Sequence, residues 1–168
     1  MELTSATAHS FHCPRWSELP SIPLYMDQVI IILEDAIGLF SEGEERVLTS
    51  TMINNYVKQK LLSPPVKKKY GRQHLASLII VTLLKRVLSI AETAELLKLL
   101  LDTYGAERSY DLFCESLEQA LTGMFSKGFA SSSPTPFEKS TDNALHAALM
   151  ALMGKLFLQQ CLKQYIVE

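Results

Sequence analysis

The chain has 168 residues, 48% of them hydrophobic and 20% charged, which excludes fibrous and disordered classes and leaves enough apolar side chains for a folded core. Its formal net charge of −2 hides a division: residues 46–86 hold nine Lys or Arg and no Asp or Glu, whereas the rest holds seven basic and all 18 acidic residues. The first 16 residues lack a basic start followed by an apolar run, so no secretory signal is predicted and a cytoplasmic location is expected.

Residues 1–20 are predicted to form an irregular arm, because Pro14 and Pro20 discourage a long helix. An amphipathic helix is expected over residues 27–40. A second, short helix is expected from a cap at Thr49 or Ser50 as far as Lys60. One side of it is an apolar seam of Met52, Ile53, Tyr56 and Val57, and the other presents hydrogen-bonding side chains: Thr51, Asn54, Asn55, Lys58 and Gln59.

Pro64 and Pro65 end that helix, and residues 66–70 are predicted to be half of a small hairpin or wing. Further helices are expected over residues 72–88, from a capping box at Ser89 and Glu92 to residue 101, and over 110–125. A last helix begins at Thr141 or Asp142 and continues to about residue 166. These elements predict an all-α protein with a small wing hairpin. The predicted divisions are the arm (1–20), a DNA-binding domain (21–101) and a helical C-terminal region (102–168).

The last predicted helix carries two apolar stripes. Leu145, Leu149, Leu152 and Leu156 form one; Met150, Met153, Phe157 and Cys161 form the other. A helix that is apolar on most sides must be buried on most sides, either inside one chain or against a second copy. We take the second stripe as the predicted homodimer contact. Because charged residues interrupt this helix and the other long apolar stretch, no membrane span is expected.

The carboxylate-free stretch predicts a polyanionic partner, since a carboxylate facing phosphate would repel it. Asn can pair with both N6 and N7 of adenine, and flanking lysines can neutralise phosphates without reading sequence. The predicted contacts to duplex DNA are Thr49, Thr51, Asn54, Asn55, Lys58, Lys60, Lys67, Lys68, Lys69, Tyr70 and Arg72.

The segment TMINNYVKQKLLSPP, residues 51–65, resembles the recognition helix and turn of MerR-type regulators, and YGRQHL, residues 70–75, resembles the end of their wing. Residues 23–29, 48–58 and 68–70 are similar to a Firmicutes family of unknown function related to YkrK. The resemblance implies a MerR-like winged helix-turn-helix that acts in transcription. Asn54 and Asn55 stand where the MerR pattern has Arg-Tyr, and Lys60 stands where it has Gly. Nothing after residue 101 resembles the MerR effector region, so no effector is carried over.

Enzyme chemistry is not expected. The chain lacks a phosphate-binding glycine loop, an HExxH motif and a nucleophile elbow. Cys13, Cys114 and Cys161 are odd in number and far apart, and the His9, His12, Cys13 group lacks a fourth ligand, so neither disulfides, metal nor cofactor is predicted. The hypothesis is therefore a homodimeric regulator, with repression favoured, that binds an inverted repeat. The alternative is an adaptor whose basic module docks on an acidic protein; RNA binding is a weaker third, because no sheet of exposed aromatics is predicted.

Overall fold

The computed structural model describes residues 3–41, 46–126 and 140–166. These residues form six α-helices and two short 3-10 turns, at Trp16–Glu18 and Gly38–Phe40. The helices are α1 (Ser5–Ser10), α2 (Met26–Ile37), α3 (Ser50–Lys58), α4 (Arg72–Leu84), α5 (Ile90–Ser126) and α6 (Thr141–Ile166). Within the described ranges, β-pairing is limited to isolated bridges, so the predicted all-α class is confirmed.

α4 is the central helix of the core. Nearly every residue from Leu75 to Leu84 is buried, and the helix contacts α2, α5 and α6. A helix that is apolar all round must be surrounded by other elements, which is the position α4 occupies. The prediction extended this helix to residue 88, but it ends at Leu84, where Arg86 and Val87 N–H donate to the Leu83 and Leu84 carbonyls three residues back.

The long segment α5 consists of two helices that join at Gly105. That residue has φ 74° and ψ 174°, a conformation outside the helical region that glycine adopts without a Cβ clash. The predicted capping box is confirmed at the start of α5: Ser89 N–H donates to the Glu92 carboxylate, and Glu92 N–H donates to the Ser89 hydroxyl. The prediction placed a gap between residues 101 and 110, whereas the helix breaks only at Gly105.

α6 packs along α5 with its leucine stripe inward. Leu145, Leu149, Leu152 and Leu156 are buried, as predicted. The helix is capped by Ser140, whose hydroxyl accepts from Asn143 N–H at 3.1 Å, one residue before the predicted cap. By length and composition alone, residues 141–163 could cross a membrane, and 33% of their most apolar window is buried. The expectation that no segment qualifies is therefore not confirmed for α6.

The N-terminal arm is folded onto α5 rather than irregular throughout. It includes α1, and Ala8, Cys13 and Leu19 are buried in the core. The Tyr110 hydroxyl donates to the Pro14 carbonyl at 2.7 Å, and the Trp16 N–H donates to Asp111 at 2.7 Å. These contacts join positions about a hundred residues apart in sequence.

An ion pair between Arg15 and Glu118 holds the arm in place. Both terminal nitrogens of Arg15 donate to the Glu118 carboxylate, at 2.8 and 2.6 Å, and the Cys13 N–H donates to the same group at 2.8 Å. The Nδ1 atom of His12 lies 3.3 Å from that carboxylate. Burial raises the pKa of Glu118, but Arg15 and the Cys13 N–H lower it more, so the pKa lies below 4.5.

Replacing Glu118 by Gln is expected to destabilise the protein at neutral pH and to reduce its sensitivity to acid. The folded-state pKa is depressed, so the stabilisation is present above the unfolded value and disappears as pH falls through the folded value. We expect a loss of about 1–2 kcal/mol at pH 7 for a charge-assisted hydrogen-bond pair. Thermal denaturation at a series of pH values measures this. Parallel curves for the two proteins from pH 7 to below 4.5 would contradict it.

The buried thiol of Cys13 has a packing role. Contact with the Cys114 thiol and burial raise the pKa of Cys13, so it stays protonated at neutral pH. Cys114 is buried as well, and Cys161 is half-buried.

Candidate nucleic-acid interface

α3 has the polar and apolar sides that its sequence predicted. Thr49 caps it, its hydroxyl accepting from Met52 N–H at 3.3 Å. Ile53 and Tyr56 are buried, which fixes the rotation of the helix against the core. The exposed side therefore presents Thr51, Asn54, Asn55, Lys58 and Gln59.

The two asparagines differ in availability. The Asn55 side-chain oxygen accepts a hydrogen bond of 2.9 Å from Gln59 Nε2, one helical turn further along. Asn54 is exposed and makes no side-chain hydrogen bond to any residue in the described ranges. Reading adenine bidentately needs both ends of a carboxamide, so Asn54 is the better placed of the two.

The end of α3 is a complete Schellman motif with Lys60 at its left-handed position. Lys60 N–H donates to the Val57 carbonyl at 3.0 Å, and Leu61 N–H donates to the Tyr56 carbonyl at 2.9 Å. Lys60 has φ 61°, a conformation that glycine adopts most readily. Lys60 therefore has the backbone geometry for which glycine is favoured.

Residues 66–69 form a minimal hairpin with two lysines at its tip. The N–H groups of Val66 and Lys69 each donate to the carbonyl of the other at 3.0 Å. The two central residues, Lys67 and Lys68, have φ 50° and 63°. Positive φ at both central positions is typical of type I′ turns, in which Asn-Gly is the preferred pair. The sequence predicted half of a hairpin here, and the structure shows a two-residue turn closed by one isolated bridge, with no strand in the described residues.

Lysine occupies every non-glycine position with positive φ in the described part of the chain: Lys60, Lys67 and Lys68. A non-glycine side chain in this region costs on the order of 1 kcal/mol. All three are exposed, so packing does not compensate the cost. This surface thus holds three positive charges at positions where glycine would be more stable.

The base of the hairpin is fixed to two other elements. Leu24 and Tyr70 exchange backbone hydrogen bonds of 2.9 and 2.8 Å, which brings the start of α2 beside the hairpin. His74 at the start of α4 accepts from Gly71 N–H through Nδ1 and lies 3.3 Å from the Pro64 carbonyl through Nε2. The loop after α3 and the hairpin base therefore meet at His74.

One predicted DNA contact is wrong in position, and a second makes contacts within the fold. Tyr70 is buried and packs edge-on against His74, so its side chain cannot reach a ligand. Arg72 points to the arm: its Nε donates to the Leu19 carbonyl at 3.1 Å, and its guanidinium lies 5.9 Å from the Trp16 ring centroid. The remaining predicted contacts, Thr49, Thr51, Asn54, Asn55, Lys58, Lys60, Lys67, Lys68 and Lys69, are exposed or half-buried.

Part of the carboxylate-free stretch, residues 46–86, stabilises the fold instead of presenting charge to a partner. Lys85 donates to the Leu88 carbonyl at 3.0 Å, and Lys155 donates to the Arg86 carbonyl at 3.0 Å. These contacts satisfy carbonyls after the end of α4, at the opposite end of that helix from the hairpin.

The sequence missed an apolar group beside the lysines. Tyr25 is exposed, with the Lys69 ammonium 4.9 Å from its ring centroid, and Ile22 and Val66 are exposed as well. The Leu24–Tyr70 bridge brings Tyr25 beside Lys69, and no local pattern predicts that bridge.

The predicted dimer stripe on α6 is partly wrong. Met153 is fully buried inside the chain, and Met150 and Cys161 are half-buried, while Phe157 is exposed. Leu158 and Leu162 are 56% and 51% exposed and lie one turn apart. The outward apolar side of α6 is therefore rotated from the predicted stripe, because the helix turns Met153 toward the core.

A family model described as a domain of unknown function (DUF1836) matches residues 14–119. The chain belongs to the DUF1836 family. The DUF1836 match starts at Pro14 in the arm and ends at Gln119 in α5, so it extends across both domain boundaries predicted at residues 20 and 101. It includes α2, α3, the hairpin and the Arg15–Glu118 pair, and it stops before α6. No curated protein and no solved structure matches the chain.

Proposed function

We propose that this chain is a cytoplasmic transcriptional regulator that binds double-stranded DNA as a homodimer. In this proposal α2 and α3 are the helices of a MerR-like helix-turn-helix, α3 is the recognition helix, and the hairpin at residues 66–69 is the wing. The observation that carries the proposal is lysine at the three positive-φ positions.

Those lysines support a polyanionic partner because the backbone alone would favour other residues there. Glycine suits all three positions, and asparagine suits the turn, but neither carries charge. Residues 46–86 also contain no Asp or Glu that would repel phosphate. Exposed positive charge on a rigid turn and an exposed amide on a neighbouring helix together match the two tasks of a DNA-binding surface.

The two tasks divide between the elements. Lys67 and Lys68 at the wing tip contact phosphates and set the position of the protein without reading sequence, as does Lys60 after α3. Asn54 enters the major groove and reads adenine. Two such surfaces related by a two-fold axis require half-sites about one helical turn apart, roughly 34 Å, or a multiple of that distance.

Selection of duplexes from a random pool, followed by titration of the best sequence, tests the proposal. We expect an inverted repeat and an affinity that falls steeply between about 50 and 200 mM salt. Failure to retain any duplex sequence above the random pool at ~0.15 M salt would contradict sequence-dependent binding.

Replacing Asn54 by Ala is expected to weaken binding to the selected site by about 1–3 kcal/mol and to relax the base preference at one position. Stability should change by less than about 0.5 kcal/mol, because the side chain is exposed. Fluorescence anisotropy on selected and scrambled duplexes measures the effect. Asn55→Ala is the matched control and should lose less, since Gln59 already occupies its side-chain oxygen. Equal losses on both duplexes would remove Asn54 as a base reader.

A second candidate is an adaptor that docks on an acidic protein. The exposed Ile22, Tyr25 and Val66 beside the lysines favour it, because protein interfaces combine apolar centres with charged rims. Titration with duplex DNA at ~0.15 M salt distinguishes the two, since an adaptor retains at most non-specific binding with a Kd near 10⁻⁴–10⁻⁶ M.

A further inference from the structure

A surface cleft of about 210 Å³ lies between the turn after α3 and one face of α5. Its apolar lining consists of Leu61 and Leu97, which are buried, and of Ala94 and Leu101, which are half-buried. Its remaining lining residues, Lys60, Lys98 and Asp102, are exposed and charged. The five α5 residues follow helical spacing, so this face of the helix forms one continuous wall.

The charged groups of the cleft are not neutralised by ion pairs. Lys60, Lys98 and Asp102 form no salt bridge with any residue among those described. Two ammonium groups and one carboxylate leave an excess of positive charge above an apolar floor. The Lys60 backbone belongs to the Schellman turn, so its Cα has a defined position beside the cleft, from which the flexible side chain can reach a ligand.

We infer that this cleft binds a small organic carboxylate with an apolar body. A cavity of about 150 Å³ with apolar walls holds benzene, so the cleft has room for a ring and one carboxylate group. The apolar body covers Leu97 and Leu101, and the carboxylate pairs with Lys60 and Lys98. The Asp102 carboxylate repels the carboxylate of the ligand. The inference concerns binding to the protein alone and does not depend on the proposed DNA binding.

Titration of the ¹⁵N-labelled full chain with sodium benzoate tests the inference, with benzyl alcohol as the neutral match. We expect saturable shifts at residues 61, 94, 97, 98 and 101, with a Kd on the order of 1 mM. Benzyl alcohol should bind about tenfold more weakly, because it cannot pair with the lysines. Shifts spread over the surface, or equal affinities for the two compounds, would overturn the inference.

Substitutions of the charged lining residues make the test specific to the cleft. Lys98→Gln is expected to weaken benzoate binding about tenfold, whereas Asp102→Asn should strengthen it a few-fold by removing the repulsion. Lys163→Gln, which removes the same charge from an exposed position on α6 outside the cleft, should change nothing. An unchanged Kd in Lys98→Gln, or weaker binding in Asp102→Asn, would also overturn the inference. Because no DNA is present, either result is independent of whether the chain binds a duplex.

Discussion

Replacing Lys60 by Gly, Lys67 by Asn and Lys68 by Gly is expected to make the protein more stable and to remove most of its affinity for DNA. Each change relieves a left-handed backbone at a lysine, worth about 0.5–1 kcal/mol per site. For a chain of this size that sum corresponds to a rise in Tm of roughly 5–10 °C. Differential scanning calorimetry measures the gain.

The same variant loses three candidate phosphate contacts. Each contact contributes about 0.9 to the slope of log K against log salt, so the slope should fall by almost three. At ~0.15 M salt this corresponds to about a hundredfold weaker binding to any sequence. Anisotropy titrations at several salt concentrations measure both quantities.

A second triple variant separates charge from backbone strain. Changing Lys60, Lys67 and Lys68 to Gln removes the charge but keeps a side chain at positive φ, so DNA binding should fall equally without the gain in Tm. Lys163→Gln, on the exposed side of α6, controls for a general loss of charge. If the Gly-Asn-Gly variant is stabilised but binds DNA as before, these lysines are not DNA contacts and the proposal fails.

Replacing Leu158 and Leu162 by Glu is expected to convert the proposed dimer to monomers. Both leucines are more than half exposed and lie one turn apart on one side of α6. In a dimer, the two introduced carboxylates of each copy would be buried in a small apolar contact or would face those of the other copy. Both arrangements are unfavourable. Losing the second recognition helix removes the avidity of the pair, so affinity for an inverted repeat should fall about 10²-fold or more.

Sedimentation equilibrium and titration of whole-site and half-site duplexes measure this effect. Leu99→Glu on α5 is the control, because that leucine is also exposed but lies on another helix. The half-site affinity of the Glu variant should equal that of the parent protein. A parent protein that is monomeric at tens of micromolar would contradict the dimer, without affecting the contacts proposed for α3 and the wing.

Local patterns predicted much of the helical fold. The Thr49 cap, the buried Ile53 and Tyr56, and the Ser89–Glu92 box all depend on residues within one turn of each other, and the structure confirms them. The rotation of α6 was predicted only in part, because several apolar sides of that helix compete and only the tertiary packing decides between them.

The features that sequence could not predict depend on distant contacts or on unusual backbone. Arg15 meets Glu118 across 103 positions, and no pattern in either segment indicates the pair. Two-residue turns are recognised in a sequence by Gly and Asn. The pair Lys67 and Lys68 therefore gave no indication of the turn. The sequence showed that Lys60 stands where the MerR-type pattern has glycine. Only the structure shows that its φ is positive.

The contacts of the N-terminal arm limit where this protein can be truncated. Its Leu19 carbonyl accepts from Arg72 at the hairpin end of α4, while Pro14 and Trp16 bond to residues of α5 beyond Gly105. A fragment that starts at residue 21 would leave the Tyr110 hydroxyl without its acceptor and the Glu118 carboxylate without its arginine. Residues 13–19 thus connect the start of α4 to the part of α5 beyond Gly105, and removing them would destabilise both elements together.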